Sequence, residues 1–214
     1  MLTLQATEDG SLTSFSPENG ERYHNRNGAW EETEAIYIKP ARFKERLALR
    51  DSLHIMDPFF GLGYISLGCM IEFFDALKSE SFETHKTLHI TAVENDPEIL
   101  THFGTICDQF DHVLVSEIKK QVHYALFSKE EGLVHKIYYQ TQHESDPKIE
   151  ALTVNIDLGA FNLNASIQFD FYLADIRQVL PYLVNQHQTV IPKPFHCIFH
   201  DPFSPKKMPE LWTQ

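Results

Sequence analysis

Cysteine is scarce and badly placed for cross-linking: Cys69, Cys107 and Cys197 lie far apart, with no CxxC pair among them. An odd, scattered set excludes a disulfide framework and a thiolate zinc site, and reads as reduced thiols in a cytoplasmic protein. No stretch of roughly 18 apolar residues occurs, so a membrane-spanning helix is excluded. The opening MLTLQATEDGS carries acids and no basic n-region, so it is not a secretory signal. There are no internal repeats and no low-complexity tracts. Positive charge is also in short supply: 18 Lys and Arg face 30 Asp and Glu, a formal net charge of −12. Proteins that grip nucleic acid ordinarily carry a basic stripe that displaces counterions from phosphates. Here the densest basic groupings are Lys39 to Arg50 and the pair Lys206-Lys207. Any RNA binding would therefore be local, assisted by a partner, or weak at physiological salt.

What is present is ordered punctuation. In residues 1–40 the turn pairs Asp9-Gly10 and Asn19-Gly20 predict a small hairpin unit. A helix is expected from Ala29 to about Ile38, acidic at its start as the helix dipole prefers. Pro40 should interrupt it, with a second amphipathic segment over Arg42 to Asp51. The pattern then changes. Ser52 to Asp57 is a short apolar run ending in an acid, followed by Pro58-Phe59-Phe60-Gly61-Leu62-Gly63 and a long apolar helix, Tyr64 to Leu77. A second such run, Leu88 to Val93, ends in Glu94, and Asn95-Asp96-Pro97 opens another helix. Strand, glycine turn, helix, strand and acid make the first βαβ unit of a doubly wound sheet.

Residues 110–150 read as mostly helical, with a polar break at Gln142 to Pro147. Leu152 to Leu158 and Gln168 to Leu173 read as strands, the latter reaching Asp175, and a last strand, Pro194 to His200, delivers Asp201. Four strands thus end in Asp57, Glu94, Asp175 and Asp201. Ligands of open α/β sheets bind at the carboxyl ends of the strands, so these acids should gather along one crevice. Gly61 and Gly63 would let the backbone approach a ligand closely. Glu94 is placed to accept both hydroxyls of a ribose, and Asp175 to accept from an adenine amino group. A GxG loop with a downstream acid also describes a dinucleotide dehydrogenase, but Ser66 stands where that fingerprint has its third glycine.

Asp57-Pro58-Phe59-Phe60-Gly61-Leu62-Gly63 resembles the DPFxGxG cofactor loop of amino-methylating methyltransferases. Two longer signatures narrow the resemblance. Asp9-Gly10-Ser11 with Ser16-Pro17, Gly20-Glu21, Tyr23-His24, Gly28-Ala29 and Glu32 is similar to the opening of the MnmC-like methyltransferases. Asp201, Phe203-Ser204-Pro205-Lys206-Lys207 and Pro209-Glu210-Leu211-Trp212-Thr213 resemble their later signature. The resemblance implies a Rossmann-like class I S-adenosyl-L-methionine-dependent methyltransferase sheet over residues 41–214, capped by a small hairpin and helix unit, residues 1–40. It implies a cytoplasmic enzyme that methylates the aminomethyl group on the wobble uridine of certain tRNAs. An FAD-dependent oxidase activity would reside on a separate protein. Relatives continue beyond the position of Thr213 through another helix and an antiparallel strand pair. The sequence therefore reads as truncated after the fourth core strand, with an exposed sheet edge.

The same resemblance assigns roles. Gly61 and Gly63, after Asp57, would flank the methionine part of the cofactor, Glu94 its ribose and Asp175 its adenine. Glu21 and Tyr23 would fold over the cleft, and Asp201 would face the methyl group as the catalytic residue. Phe203 and Trp212 would pack against a flipped base, and Lys206 and Lys207 would contact phosphates. Methylation of a small amine is the alternative that the acidic composition favours; a non-catalytic cofactor-binding domain is another. His85 with His89, and His196, Cys197, His200 and Asp201, imitate metal spacings. The first pair straddles the start of a strand, and in a strand His196 and His200 point one way while Cys197 and Asp201 point the other, so no metal is expected. His24 reads equally as a catalytic or a structural residue.

Overall fold

The computed structural model describes residues 2–123, 137–138, 149–186 and 194–212. The N-terminal strands β1 (Leu4–Ala6), β2 (Leu12–Ser16) and β3 (Glu21–Arg22) form a three-stranded antiparallel sheet. Its turns fall at Asp9-Gly10 and Asn19-Gly20, as their chemistry predicts; Gly10 and Gly20 both take positive φ. The expected helix begins at Ala29, with Ser11 Oγ accepting from the Ala29 and Trp30 amides and Asp9 from the Glu31 amide. Pro40 does not interrupt it. The α-helical turn α1 (Ala29–Thr33) runs into a π-turn, Glu34–Ile38, and a last turn, Lys39–Ala41, near whose start Pro40 sits. The Lys39 amide still bonds the Glu34 carbonyl five residues back, so the π-turn carries the helix past Pro40 without a break. The break comes at Arg42, which adopts the left-handed conformation (φ 53°) before α2 (Phe43–Leu49).

The second sheet has six strands in the order β6-β7-β8-β5-β4-β9: β4 (Ser52–Asp57), β5 (Lys86–Glu94), β6 (Ile137–Tyr138), β7 (Glu150–Asp157), β8 (Ala165–Leu173) and β9 (Cys197–Ile198). The acid-tipped strands β9, β4, β5 and β8 are mutually parallel, whereas β7 and β6 continue the sheet antiparallel. Residues Gly159–Phe161 and left-handed Asn162 make the short turn that joins β7 to β8. Two expectations need correction. Residues 110–150 are helical at Val113–Ile118 and through the π-turn Lys119–His123, but Ile137–Tyr138 is strand; the polar break at 142–147 lies outside the described residues. The last strand is two residues long rather than seven, because only Ile55 and Met56 of β4 offer it partners.

Alternation along β5 and β8 sends Leu88, Ile90 and Ala92, and Ile167, Phe169 and Phe171, into the main core. Helix α3 (Tyr64–Ser79) lies in that core and contacts α1, α2 and Val113–Ile118. Phe73 is fully buried there, and truncating such a residue to Ala costs roughly 3–5 kcal/mol. The opposite face of the sheet is more polar: His54 stacks on His89 at 4.4 Å between ring centroids, and the His54 amide donates to His196 Nδ1 (2.8 Å). His85 bonds Asn164 and Ser166, so the histidines singled out by spacing are tied to protein groups. No helix of the described residues is long and apolar enough to cross a membrane.

Candidate active site

A cavity of about 530 Å³ opens where the carboxyl ends of β9, β4, β5 and β8 meet the N-terminal sheet. That volume lies in the usual range for small-molecule and cofactor sites. Of the residues singled out from sequence, Glu21, Tyr23, Gly61, Glu94, Asp175, Asp201 and Phe203 line it together. Their strands are distant in sequence but parallel in space, which is why the acids converge.

Gly61 has φ +54°, and an added Cβ would stand 3.3 Å from the Tyr23 ring, so glycine keeps both the turn and the wall of the cleft. Its amide donates to Glu94 Oε2 (2.7 Å), while Glu94 Oε1 accepts from the Asn95 and Asp96 amides, each at 2.8 Å. Burial pushes the Glu94 carboxyl up to about 7, against the pull of those amides. A carboxylate offers about four lone-pair directions. Three are taken here, so a ligand hydroxyl must use the fourth or displace an amide. Asp175 is held below the usual carboxylate range, first by a paired contact from Arg177. An adenine amino group reaching it would share it with that guanidinium.

Gly63 and Asp57 stand behind the cleft rather than in it. Gly63 (φ +87°) is needed because an added Cβ would fall 2.6 Å from Phe60 and 2.8 Å from Phe103, so its reason is packing under the loop. Asp57 is fully buried and accepts from Ser66 Oγ (2.7 Å), while its Oδ1 has no hydrogen-bond partner among the described residues. Desolvation pushes its carboxyl up to about 7, with Asp201 and Glu94 adding to the shift. Trp212 also lies outside the cavity. Its Nε1 donates to the Phe203 carbonyl (2.8 Å) and its ring meets His200 edge-on. Lys206 and Lys207 are exposed beside the cleft without lining it, although both bias the Glu21 carboxylate.

The N-terminal sheet closes over the strand ends through three contacts. Glu21 accepts from Ser204, Tyr23 packs edge-on against Phe203 (5.1 Å), and the Tyr23 hydroxyl donates to Asp96 Oδ2 (3.4 Å). His24 is almost wholly enclosed against Tyr64, and desolvation lowers it to about 4, so it is neutral at ordinary pH. Asp201 is raised above the usual carboxylate range by burial; Tyr37, which hydrogen-bonds it, pulls the other way. Sequence reasoning missed Asp96, Arg22, Arg26 and Met208 as lining residues, and Tyr37 as the partner of Asp201. Only Asp96 had a readable signal, its place directly after the strand-end acid in Glu94-Asn95-Asp96.

A parallel-dominated sheet with acids and a glycine turn at its carboxyl edge has the Rossmann-like arrangement. Residues 139–214 match the sequence model of a family described as S-adenosyl-L-methionine-dependent methyltransferase, whose cofactor is S-adenosyl-L-methionine. That match agrees with the S-adenosyl-L-methionine-dependent class that the sequence motifs resemble. Among solved structures the chain is similar to MNMC2 from Aquifex aeolicus, with 22% identity and a TM-score of 0.59. The likeness covers 100% of this chain and 53% of that one, so the chain spans about half the length of that relative. No curated protein matches the sequence. The cleft suits the family's cofactor: buried Glu94 and half-buried Asp175 stand on neighbouring strands, and apolar Phe59, Val93 and Ile176 lie beside them.

Proposed function

We propose that this chain is an N-methyltransferase that methylates the aminomethyl group of a wobble uridine in tRNA, with Asp201 as its catalytic residue. The observation that carries the reading is one cleft holding both halves of such a reaction. Glu94, Asp96 and Asp175, which would bind the nucleoside, line the same cavity as Asp201 and Phe203, and Tyr23 packs on Phe203. When bound, S-adenosyl-L-methionine supplies an electrophilic methyl group on a sulfonium. Glu94 and Gly61 would hold its ribose side, and Asp175 its adenine side. Glu21 and Tyr23 would shut water out from above.

The acceptor nitrogen must be unprotonated to use its lone pair. Asp201 accepts a hydrogen bond from that amine, points the lone pair toward the methyl carbon, and takes up the proton released when the N–C bond forms and the C–S bond breaks. Phe203 offers an apolar face for an unstacked base. Lys206, Lys207 and Trp212 lie farther out, where they would meet the flanking nucleotides.

Methylation of a small amine is the second reading. It draws on the net charge of −12 and on the pairing of the densest basic stretch: Lys39 with Glu34, Arg42 with Glu45 and Lys44 with Glu80. The test is calorimetric titration with S-adenosyl-L-methionine, followed by methyl transfer to tRNA lacking the modification and to a panel of small amines. Asp201→Asn should retain binding and lose about 10²–10⁴-fold in rate. Transfer to small amines alone would replace the tRNA reading, and binding without any transfer would leave a cofactor-binding domain.

A further inference from the structure

In this acidic chain many cations are tied to neighbouring carboxylates. Lys39, Arg42 and Lys44 are neutralised by Glu34, Glu45 and Glu80, and Arg177 by Asp175. Arg22, Arg26 and Lys207 form no ion pair among the described residues, and they gather at one place. Arg22, half-buried, and Arg26, exposed, belong to the wall of the cavity. Lys207 Nζ reaches the turn between β2 and β3, 3.2 Å from where a Gly20 Cβ would stand. We propose that Arg22 and Arg26, together with Lys207, form a cationic rim that seats backbone phosphates of an RNA substrate at the mouth of the cleft. This inference rests on the tRNA reading given above and names the groups that would hold the nucleotide chain there.

Three features support it. The first is the sign of the charges. Glu94, Asp96, Asp175 and Asp201 line the interior, so the cleft as a whole repels a polyanion. A small amine is itself a cation at neutral pH and gains nothing from guanidinium groups at the entrance, whereas a phosphodiester chain does. Glu18 lines the same side of the cavity and works against the rim, so the contact is local rather than a broad basic face.

The second is rigidity. The Glu8 amide donates to the Arg26 carbonyl and the Asp9 amide to the Asn27 carbonyl, each at 2.9 Å. Asn25 Oδ1 accepts from the Asn27 and Gly28 amides at 2.8 and 3.1 Å. Arg26 is thus carried on a loop pinned from both sides. Arg22 sits in β3, and its guanidinium donates to Gln5 Oε1 (2.9 Å), a neutral partner that orients it without cancelling its charge. Arginine forks held in place match phosphate oxygens and lose little freedom on binding.

The third is position. Glu21, directly between Gly20 and Arg22, is bonded to Ser204, the neighbour of Phe203. A phosphate on the rim therefore lies next to the ring that would receive the unstacked base. Three single-strand phosphate contacts give a salt slope of about −2 in log K against log salt, or roughly twentyfold weaker binding between about 50 and 200 mM salt.

The test measures fluorescence anisotropy of a labelled tRNA anticodon stem–loop on the whole chain across a salt series. Arg22→Gln and Arg26→Gln should each weaken binding several-fold at low salt and flatten the slope by about 0.7. Arg26→Lys, which keeps the charge and loses the fork, should hold the slope while weakening binding. Arg42→Gln, a paired cation on another face, should change neither quantity. Calorimetric affinity for S-adenosyl-L-methionine should stay unchanged in all four, which also shows that they are folded. A slope unmoved in both Arg22→Gln and Arg26→Gln overturns the proposal, as does an equal change in Arg42→Gln. Loss of cofactor affinity in Arg26→Gln gives that guanidinium to the cofactor's carboxylate and overturns it too. If the wild type methylates tRNA while the variants keep its slope, the rim fails and the enzyme reading stands. If it binds the RNA through the rim but transfers no methyl group, the rim stands and the enzyme reading fails.

Discussion

Glu21 and Ser204, 183 residues apart, meet in a two-pronged contact: the carboxylate accepts from the Ser204 amide at 3.0 Å and from its hydroxyl at 2.5 Å. This joins the rim of the N-terminal sheet to the loop beyond β9. Nothing in either local sequence requires it, yet it helps to roof the cleft. Glu21 is held below its usual range first by these two bonds, with Lys207 and Lys206 assisting.

If that contact retains the cofactor, Glu21→Ala and Ser204→Ala should each speed its release several-fold, and the double variant should be no faster than either single one. Stopped-flow dissociation of a fluorescent cofactor analogue measures this. Additive effects would mean that the two residues act separately.

Glu94→Gln should do two things at once. It keeps the size of the side chain but turns an amide NH₂ toward backbone amides that need an acceptor. The apo-protein should lose about 1–3 kcal/mol in urea denaturation, the cost of leaving a buried group unsatisfied. Affinity for S-adenosyl-L-methionine should fall at least tenfold by calorimetry, the equivalent of about 1.4 kcal/mol. Unchanged affinity would remove Glu94 from the cofactor site.

Asp57 sets a pH dependence with a definite sign. Its carboxyl rises from 3.8 to about 7 on folding, so between those values the folded chain keeps a proton that the unfolded chain has released. The associated stability is complete below about pH 4 and is lost as pH climbs through about 7. Relative to Asp57→Asn, the wild type should therefore weaken between pH 5 and 7 by roughly 1.4 kcal/mol per unit, and level off near pH 8. Neutral His24, lowered to about 4, acts in the opposite direction between 4 and 6.5, but it is common to both proteins and cancels in the difference. Parallel pH profiles in urea would show that Asp57 is ionised throughout.

Gly63→Ala tests the packing role of the second loop glycine. A methyl group there would strike the Phe60 and Phe103 rings and strain a left-handed backbone. The expected loss is about 1–3 kcal/mol in chemical denaturation, with the cavity wall at Gly61 displaced. A variant as stable as the wild type would show that the loop relaxes freely.

The parts read correctly in advance are those governed by neighbours in sequence. The Asp9-Gly10 and Asn19-Gly20 turns, the start of the helix at Ala29 and the Asp96-Pro97 helix cap each depend on chemistry within a few residues. The acids at strand ends were legible for a related reason, since an apolar run followed by a carboxylate announces where a strand leaves the core. The misjudged parts were tertiary. Pro40 was tolerated because the helix had already been rewound as a π-turn, and Gly63 owed its identity to two distant rings. Trp212 turned away to the Phe203 carbonyl and His200.

Sequence alone determined the class of sheet, the placing of Asp57 and Glu94 at strand ends and of Asp175 and Asp201 just beyond them, and the resemblance that led to S-adenosyl-L-methionine. The first two follow from periodicity and turn chemistry, which act over a few residues; the third is a likeness of motifs. The tertiary structure decided which of those groups share the cavity, which are sealed beneath it, and which partners hold them. Asp57 ends β4 and Asp201 follows β9 by three residues, yet one is wholly enclosed beside Ser66 and the other lines the cleft beside Tyr37. Burial and hydrogen bonding come from residues far away along the chain, and only the folded packing brings those residues together.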